Sequence, residues 1–337
     1  MVGPRPDGSL VAAAAGKLFT VGTDGVTTPF GAYSTEPGPE SYIALSSGLA
    51  MNDVSCGWEA GDVYALELTT PPLGVVRVTA DGRPSRFVDT PQLDFLGGIA
   101  FDATGRFGNA LLIAGRKAGK TVILAADCRG KVRTVTDNGP VIEGGMAVAP
   151  QVFGDHGGDL IAVDENSGDV VFIRFDGTSG VLISSGLPAG GDVGVESLGF
   201  VPVDFVNRGA TAYMADRRSP GSPTEGTDSI WRLTNDQLTH VGIDDNDLLV
   251  SVEGGGQTII VRCRTTCRIL PLGQAPTSHV EGHITVVLGP PLPPMGGYAR
   301  TGSAMFAIST VVLVAGGLAL FLVHRKRSPG RREPDTA

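Results

Sequence analysis

Five carboxylates recur at matching places along this chain: Glu40, Asp94, Glu143, Glu196 and Glu281. Each stands at or just ahead of a short apolar run: SYIALSS at 41–47, GGIAFDA at 97–103, GGMAVAP at 144–150, SLGFVPV at 197–203, and the run HVEGHITVV at 279–287. If those runs converge on one axis, the carboxylates converge with them. Like charges brought together raise one another's pKa unless protons or a cation neutralise them. A hard, oxygen-seeking ion such as Ca²⁺ is then the natural occupant. The plainer outcome is that each acid accepts backbone N–H bonds and caps a turn. The sequence assigns no catalytic residue and no organic cofactor. His156, His240, His279, His283 and His324 show no metal-ligand spacing on one element, and His279 and His283 share a face of a strand without sharing a site. Serine elbows, phosphate-binding loops and zinc-protease helix motifs are absent, and the glycine pairs belong to repeats that do not open helices.

The elements that must position these acids are most legible over Val141–Gly186. Four short apolar runs cut by glycine and aspartate turns follow one another within about 45 residues, the pattern of a four-stranded meander. Variants recur. Second-strand anchors fall at Leu10, Val63, Leu111, Leu160, Thr211 and Leu248, with spacings of 53, 48, 49, 51 and 37 residues. A near-constant period of four strands is the signature of a β-propeller, because a single small sheet cannot bury both of its faces. Second strands such as VYALEL, ALLIAG and DLIAVD are apolar on both faces, as strands packed between neighbouring blades should be. Asp81-Gly82, Asp176-Gly177 and Asn138-Gly139 supply residues that tolerate positive φ in tight reversals.

The expected fold is all-β, a six-bladed propeller over 1–288. The N-terminal repeat lacks a recognisable first strand, and HVEGHITVV is expected to supply it from the other end, closing the ring and removing an open edge. The last repeat is the irregular one, since the 37-residue step leaves no first strand before DLLVSV; five blades plus an irregular element is the alternative count. The insertion RRSPGSPTEGTDS at 217–229 is a loop between the second and third strands of the fifth repeat, on the face of the acids together with Asp164-Glu165-Asn166. Leu10–Gly16 is too short for the apolar core of a signal peptide and continues into a strand pattern, so Met1–Phe30 reads as propeller. A translation start upstream of Met1 would reconcile that with export.

The 337 residues, with 49 Gly and 23 Pro punctuating apolar runs, carry a formal charge of -9. The tail His324–Ala337 holds five Arg or Lys, so the rest of the chain is more acidic still. An acidic body argues against nucleic acid as a partner.

GGIAFDATGRFGNALLIA at 97–114, GGDLIAVDENSG at 157–168 and ATAYMADRR at 210–218 resemble the repeat of NHL and gluconolactonase-like six-bladed propellers, over roughly residues 10–288. In gluconolactonase-like enzymes an opening glutamate and axial Asn/Asp residues hold a divalent metal that activates a lactone. Glu40, Glu143, Glu196 and Glu281 resemble that opening acid; the family's Asn and Asp ligands and catalytic Asp have no counterpart here. What the resemblance implies is a propeller fold and, as an alternative to a binding or scaffolding module, a metal-dependent lactonase-like hydrolase.

Cys56, Cys128, Cys263 and Cys267 allow three pairings in an oxidising compartment. Cys263 and Cys267 flank a three-residue turn, at disulfide reach. Cys56 falls in a first-to-second strand loop and Cys128 in a third-to-fourth strand turn of the next blade, both at the end away from the acids.

Ser303–Val323 is 21 residues without a charge, long enough as a helix to cross a bilayer. Arg325, Lys326 and Arg327 follow it, which places the tail 324–337 in the cytoplasm and the body outside. GPPLPPMGG opens a stiff stalk over 289–302. Tyr298-Ala299-Arg300-Thr301-Gly302 resembles a sortase signal of the LAxTG kind, with Tyr for Leu, and cleavage between Thr301 and Gly302 would join the body to the cell wall. The expectation is a single-pass, cell-surface propeller that binds an extracellular protein, carbohydrate or small molecule.

Overall fold

The computed structural model describes residues 2–5, 8–22, 24–36, 40, 42–191, 193–274 and 277–289. They form five sheets, antiparallel except at one parallel junction in the fifth, with helix confined to α1 (Phe205–Arg208), α2 (Asn235–His240) and one 3-10 turn. The first sheet holds β1 (Val2–Pro4), β2 (Leu10–Ala14), β3 (Lys17–Val21) and β4 (Thr27–Ser34) in chain order. The second holds β5 (Ile43–Leu45), β6 (Val63–Glu67), β7 (Gly74–Val78) and β8 (Pro84–Asp89). The third comprises β9 (Phe95–Phe101), β10 (Leu111–Lys117), β11 (Lys120–Ala126) and β12 (Val132–Gly139), and the fourth β13 (Met146–Val148), β14 (Leu160–Asp164), β15 (Asp169–Ile173) and β16 (Ser179–Ser184).

The fifth sheet has seven strands. One arm runs β17 (Val195–Phe200), β20 (Leu248–Val252), β21 (Thr258–Cys263), β22 (Cys267–Gly273). The other runs β23 (Val280–Leu288), β18 (Ala210–Asp216), β19 (Ser229–Leu233), and the arms join where β17 meets β23 in parallel at Leu198↔His283.

This corrects two sequence expectations. The N-terminal repeat has its own first strand, β1, which Val2-Gly3-Pro4 is too short to announce. The C-terminal strand pairs instead with β18, Ala210 opposite Leu288 and Asp216 opposite Val280. Strands β18 and β19 therefore do not follow β17 in its arm; β17 pairs directly with β20. The 37-residue step between Thr211 and Leu248 is the mark of that exchange. Strand β18 takes its inner partner from the end of the chain, and β20 takes the one that precedes β18.

The arrangement is a propeller. Strands β1, β5, β9, β13, β17 and β23 are the inner strands, each touching the next, and β23 touches β1. Apolar clusters fill the spaces between sheets. Trp58, Tyr64, Phe87 and Phe101 pack edge-to-face or tilted between the second and third sheets, with ring centroids 4.9–5.8 Å apart. Leu112, Ala114, Met146 and Leu160 join the third to the fourth. Phe153, Val163, Leu198 and Val250 join the fourth to β17 and β20. Leu10 and Val21 meet Tyr213, Ile230 and Val287, which closes the ring. Every residue of β6 and of β20 is buried, because each of these strands is covered on both faces.

Inner strands crowd one another, and glycine permits it. A Cβ on Gly145 would stand 2.5 Å from Gly282 O and 2.8 Å from Leu198 N, and one on Gly98 2.7 Å from Met146 Sδ. Gly82 and Gly177 adopt φ of 88° and 87° in their turns as expected, whereas Asn138-Gly139 lies within β12.

Both disulfides are present. Cys263–Cys267 closes the β21–β22 turn with Cα atoms 4.0 Å apart. Cys56–Cys128 staples the second sheet to the third with Cα atoms 6.2 Å apart. No helix among the described residues is long and apolar enough to cross a membrane. The 303–323 segment, nearly all of the 289–302 stalk with Thr301 and Gly302, and the 324–337 tail lie outside those residues.

Candidate metal centre

Three of the five recurring acids meet. One carboxylate oxygen each from Glu40, Glu196 and Glu281 lies within 4.8 Å of the others. Glu196 is the second residue of β17 and Glu281 the second of β23, so the junction of those two strands sets them side by side. Glu40 arrives from the segment that leads into β5. The other two acids are engaged elsewhere. Asp94 Oδ2 accepts the Ala118 N–H at 2.8 Å and caps the β10–β11 turn, and Glu143 Oε2 accepts from Arg116 Nη2 at 2.7 Å. Asp164 likewise organises its own turn, accepting from Asn166 N and Ser167 Oγ.

Four further residues complete the cluster. The Tyr42 hydroxyl lies 2.6 Å from Glu196 Oε1 and 2.8 Å from Glu40 Oε2. Arg217, just beyond β18, donates from Nη1 to Glu40 Oε1 at 2.6 Å and to Glu281 Oε1 at 2.7 Å. His279 Nε2 stands 2.5 Å from Glu253 Oε1 and 3.3 Å from Glu281 Oε1. Tyr42, Glu196, Glu253, His279 and Glu281 are buried; Glu40 and Arg217 are partly exposed and form the mouth. The insertion after β18 thus reaches the acids through Arg217.

The electrostatics divide the carboxylates. Burial, and next the charges of Glu281, Glu40 and Glu253, push Glu196 well above the ordinary carboxylate range. Burial and Glu281 push Glu40 up to about 7, against the pull of Tyr42 and Arg217. Burial also works against ionisation of Glu281, but His279 and Arg217 outweigh it and hold that carboxyl below its usual value. Burial opposes the charge of His279; Glu253 and Glu281 overcome it and lift the imidazole to about 10. Tyr42, buried between carboxylates, keeps its proton. One hydroxyl proton cannot serve two carboxylates at once, so a protonated Glu196 donating to Tyr42, which donates to Glu40, satisfies all three.

Sequence reasoning misses Tyr42 and Glu253, places Arg217 on this face only as part of the 217–229 insertion, and gives His279 no ligand role. The signal for His279 is its position two residues before Glu281; its partner, Glu253, follows β20. His283 is apart from the cluster, with Nε2 2.9 Å from Met146 O, and burial pushes it down to about 4. At the opposite end of the sheets a cleft of about 690 Å³ is lined by Asn52, Asp53, Arg106, Asp127, Lys131 and Phe175 among others.

No protein-family model and no curated protein matches the chain. Among solved structures it is similar to virginiamycin B lyase from Staphylococcus aureus, at 13% identity and a TM-score of 0.43, covering 80% of this chain and 68% of that one. It is similar to a gluconolactonase from Xanthomonas campestris at 16% identity and a TM-score of 0.40, covering 69% and 70%. A putative 6-phosphogluconolactonase from Bacteroides uniformis is similar at 17% identity and a TM-score of 0.38, covering 82% of each chain. Similarity this low says nothing of activity.

Proposed function

We propose that Glu40, Glu196 and Glu281 hold a hard divalent cation such as Ca²⁺, and that the protein is a cation-dependent, lactonase-like hydrolase. The observation that supports this reading is the meeting of three carboxylates, two of them driven toward protonation in the absence of a neutralising ion. An all-oxygen donor set fits such a cation. When bound, the cation would polarise a substrate carbonyl and acidify a coordinated water. The chain's own groups then have separate tasks. Tyr42 fixes the orientation of Glu40 and Glu196, and His279 keeps Glu281 ionised. Arg217 yields its place between Glu40 and Glu281 and stays at the mouth, where a guanidinium can receive a carbonyl or carboxylate oxygen of the substrate.

In this reading the two arms of the seven-stranded sheet are separate blades, which makes six. The segment 303–323 is a single membrane anchor, 324–337 its cytoplasmic tail, and Tyr298–Gly302 the sorting signal. Two disulfides favour an extracellular body. A binding module is the second reading, favoured by Arg217, which already neutralises Glu40 and Glu281 without an ion.

The test is thermal unfolding of the full-length chain in Ca²⁺ and in chelator, followed by hydrolysis of simple aldonolactones. Binding to the folded state alone contributes about 2.7 kcal/mol at a hundredfold excess over Kd. A higher midpoint in Ca²⁺ that Glu40→Gln with Glu196→Gln removes, together with ion-dependent turnover, is the expected result. Superimposed melting curves reject the cation and the hydrolase; a shift without turnover leaves a cation-containing binding module.

A further inference from the structure

Glu253, His279 and Glu281 form a second convergence beside the carboxylate trio. One ligand atom from each lies within 4.8 Å of the others, and all three residues are buried. An isolated bridge between Gly254 and His279 aligns the end of β20 with the start of β23, which brings Glu253 against the imidazole.

The imidazole is the unexplained group. His279 has no exposed surface, yet neither Nδ1 nor Nε2 has a hydrogen-bond partner among the described residues. Nε2 is close to both carboxylates, but at angles unsuited to an N–H···O bond. Buried side-chain nitrogens in folded proteins are nearly always bonded along their donor or acceptor directions. Here one nitrogen and two carboxylate oxygens are gathered around a common point and are not aligned on one another, as the ligands of a metal ion are.

We propose that Glu253, His279 and Glu281 form a second cation site of mixed nitrogen and oxygen donors, taking Zn²⁺ or a similar transition-metal ion and sharing Glu281 with the carboxylate trio. Imidazole is a poor ligand for Ca²⁺ and a good one for Zn²⁺, so the two sites differ in selectivity. Zinc bonds of about 2.0–2.2 Å put neighbouring tetrahedral ligands roughly 3.3 Å apart. The 3.3 Å between His279 Nε2 and Glu281 Oε1 already meets that spacing, and Glu253 must withdraw by less than about 1 Å from its 2.5 Å contact. Three protein ligands leave a fourth position open, as in zinc sites that bind water or substrate.

The site shares Glu281 with the Ca²⁺ reading but is carried by Glu253 and His279, and the experiment separates the two. The full-length chain is titrated with Zn²⁺ by calorimetry in saturating Ca²⁺, and with Co²⁺ as a coloured substitute. One equivalent of Zn²⁺ should bind, and Co²⁺ should give the visible absorption of a low-coordinate nitrogen and oxygen site. Glu253→Gln and His279→Asn should each weaken Zn²⁺ at least tenfold and remove the Co²⁺ bands, whereas Glu143→Gln, at an acid held by Arg116 outside both ligand sets, should leave both unchanged. Circular dichroism checks each fold, and the near-isosteric Glu253→Gln decides if His279→Asn does not fold. No bound Zn²⁺, or an unchanged affinity in folded Glu253→Gln, overturns the site and leaves His279 as a buried counter-ion. Zinc bound as expected with no Ca²⁺ effect would sink the carboxylate trio alone.

Discussion

Arg262 holds the buried carboxylate of Asp247 from two sides, Nε to Oδ1 at 2.8 Å and Nη2 to Oδ2 at 2.6 Å. Asp247 immediately precedes β20 and Arg262 lies on β21, 15 residues later. The same step recurs: Asp62 before β6 accepts from Arg77 on β7 at 2.5 Å, and Asp159 before β14 lies 3.5 Å from Arg174 Nε just past β15. Three of the repeats thus carry their own ion pair, tying the entry of the second strand to the third. Removing one partner of a buried pair leaves an uncompensated charge, at a cost of about 3–5 kcal/mol. Asp247→Ala should approach that loss, since Asp247 is fully buried and Arg262 is only 15% exposed. Asp159→Ala should lose less, because Arg174 is 42% exposed and can turn to water. Urea unfolding of the two variants measures the difference, and equal losses would count against the burial argument.

The pH dependence of the ion-free protein follows from the direction of each shift. Glu40 and Glu196 have raised pKa values, so their contribution is complete below the unfolded value near 4.5 and is lost as pH rises, for Glu40 through about 7. His279, also raised, contributes fully below about 6.5 and loses that contribution as pH climbs toward about 10. Glu281, lowered, loses its contribution only as the solution is acidified below about 4.5. The melting midpoint in chelator should therefore fall between pH 5 and pH 8, scales set by these groups. Glu40→Gln should flatten the part of that fall that lies between about 4.5 and 7. A midpoint that rises across this window in chelator would contradict the assignment.

Tyr42→Phe removes one hydroxyl from between two carboxylates. Leaving buried polar groups unsatisfied costs about 1–3 kcal/mol. A destabilisation in that range is expected in chelator, and a smaller one in Ca²⁺, where the cation takes over the neutralising role. Equal losses in both conditions would separate Tyr42 from the cation site.

The disulfides should differ in weight. Cys56–Cys128 spans 72 residues and, by loop entropy, contributes about 4 kcal/mol, whereas Cys263–Cys267, spanning 4, contributes about 2 kcal/mol at most. Denaturant unfolding of the two double-serine variants should show the larger loss for the inter-sheet bridge.

Gly145→Ala should damage the centre from a distance. Its Cβ would press on Gly282 O and Leu198 N, forcing β13 away from the β17–β23 junction that carries Glu196 and Glu281. Overpacking of this kind costs about 1–3 kcal/mol. Any Ca²⁺ stabilisation should weaken with it, although residue 145 offers no ligand.

The repeat, its period and its turns were legible in the sequence because they are local. Strands with both faces apolar are written in consecutive residues, as β14 and β15 display over Leu160–Ile173. Cys263 and Cys267 could be paired from spacing alone for the same reason, and the Asp–Arg step of 15 residues was there to be read. What the sequence could not contain was which inner strand serves which sheet. Glycine-rich inner strands resemble one another, so HVEGHITVV fitted the first repeat as well as the last, and only packing of Val280–Leu288 against Ala210–Asp216 settled the exchange. The cluster depended on that outcome. Glu196 and Glu281 meet because β17 and β23 are neighbours, Arg217 reaches them because β18 joins β23, and His279 meets Glu253 because β20 ends beside β23. Asp94 and Glu143 occupy equivalent places in the repeat and took nearby partners, a backbone N–H and Arg116. Periodicity placed the acids at one end of the sheets; the distances that decide their chemistry came only from the closure of the ring.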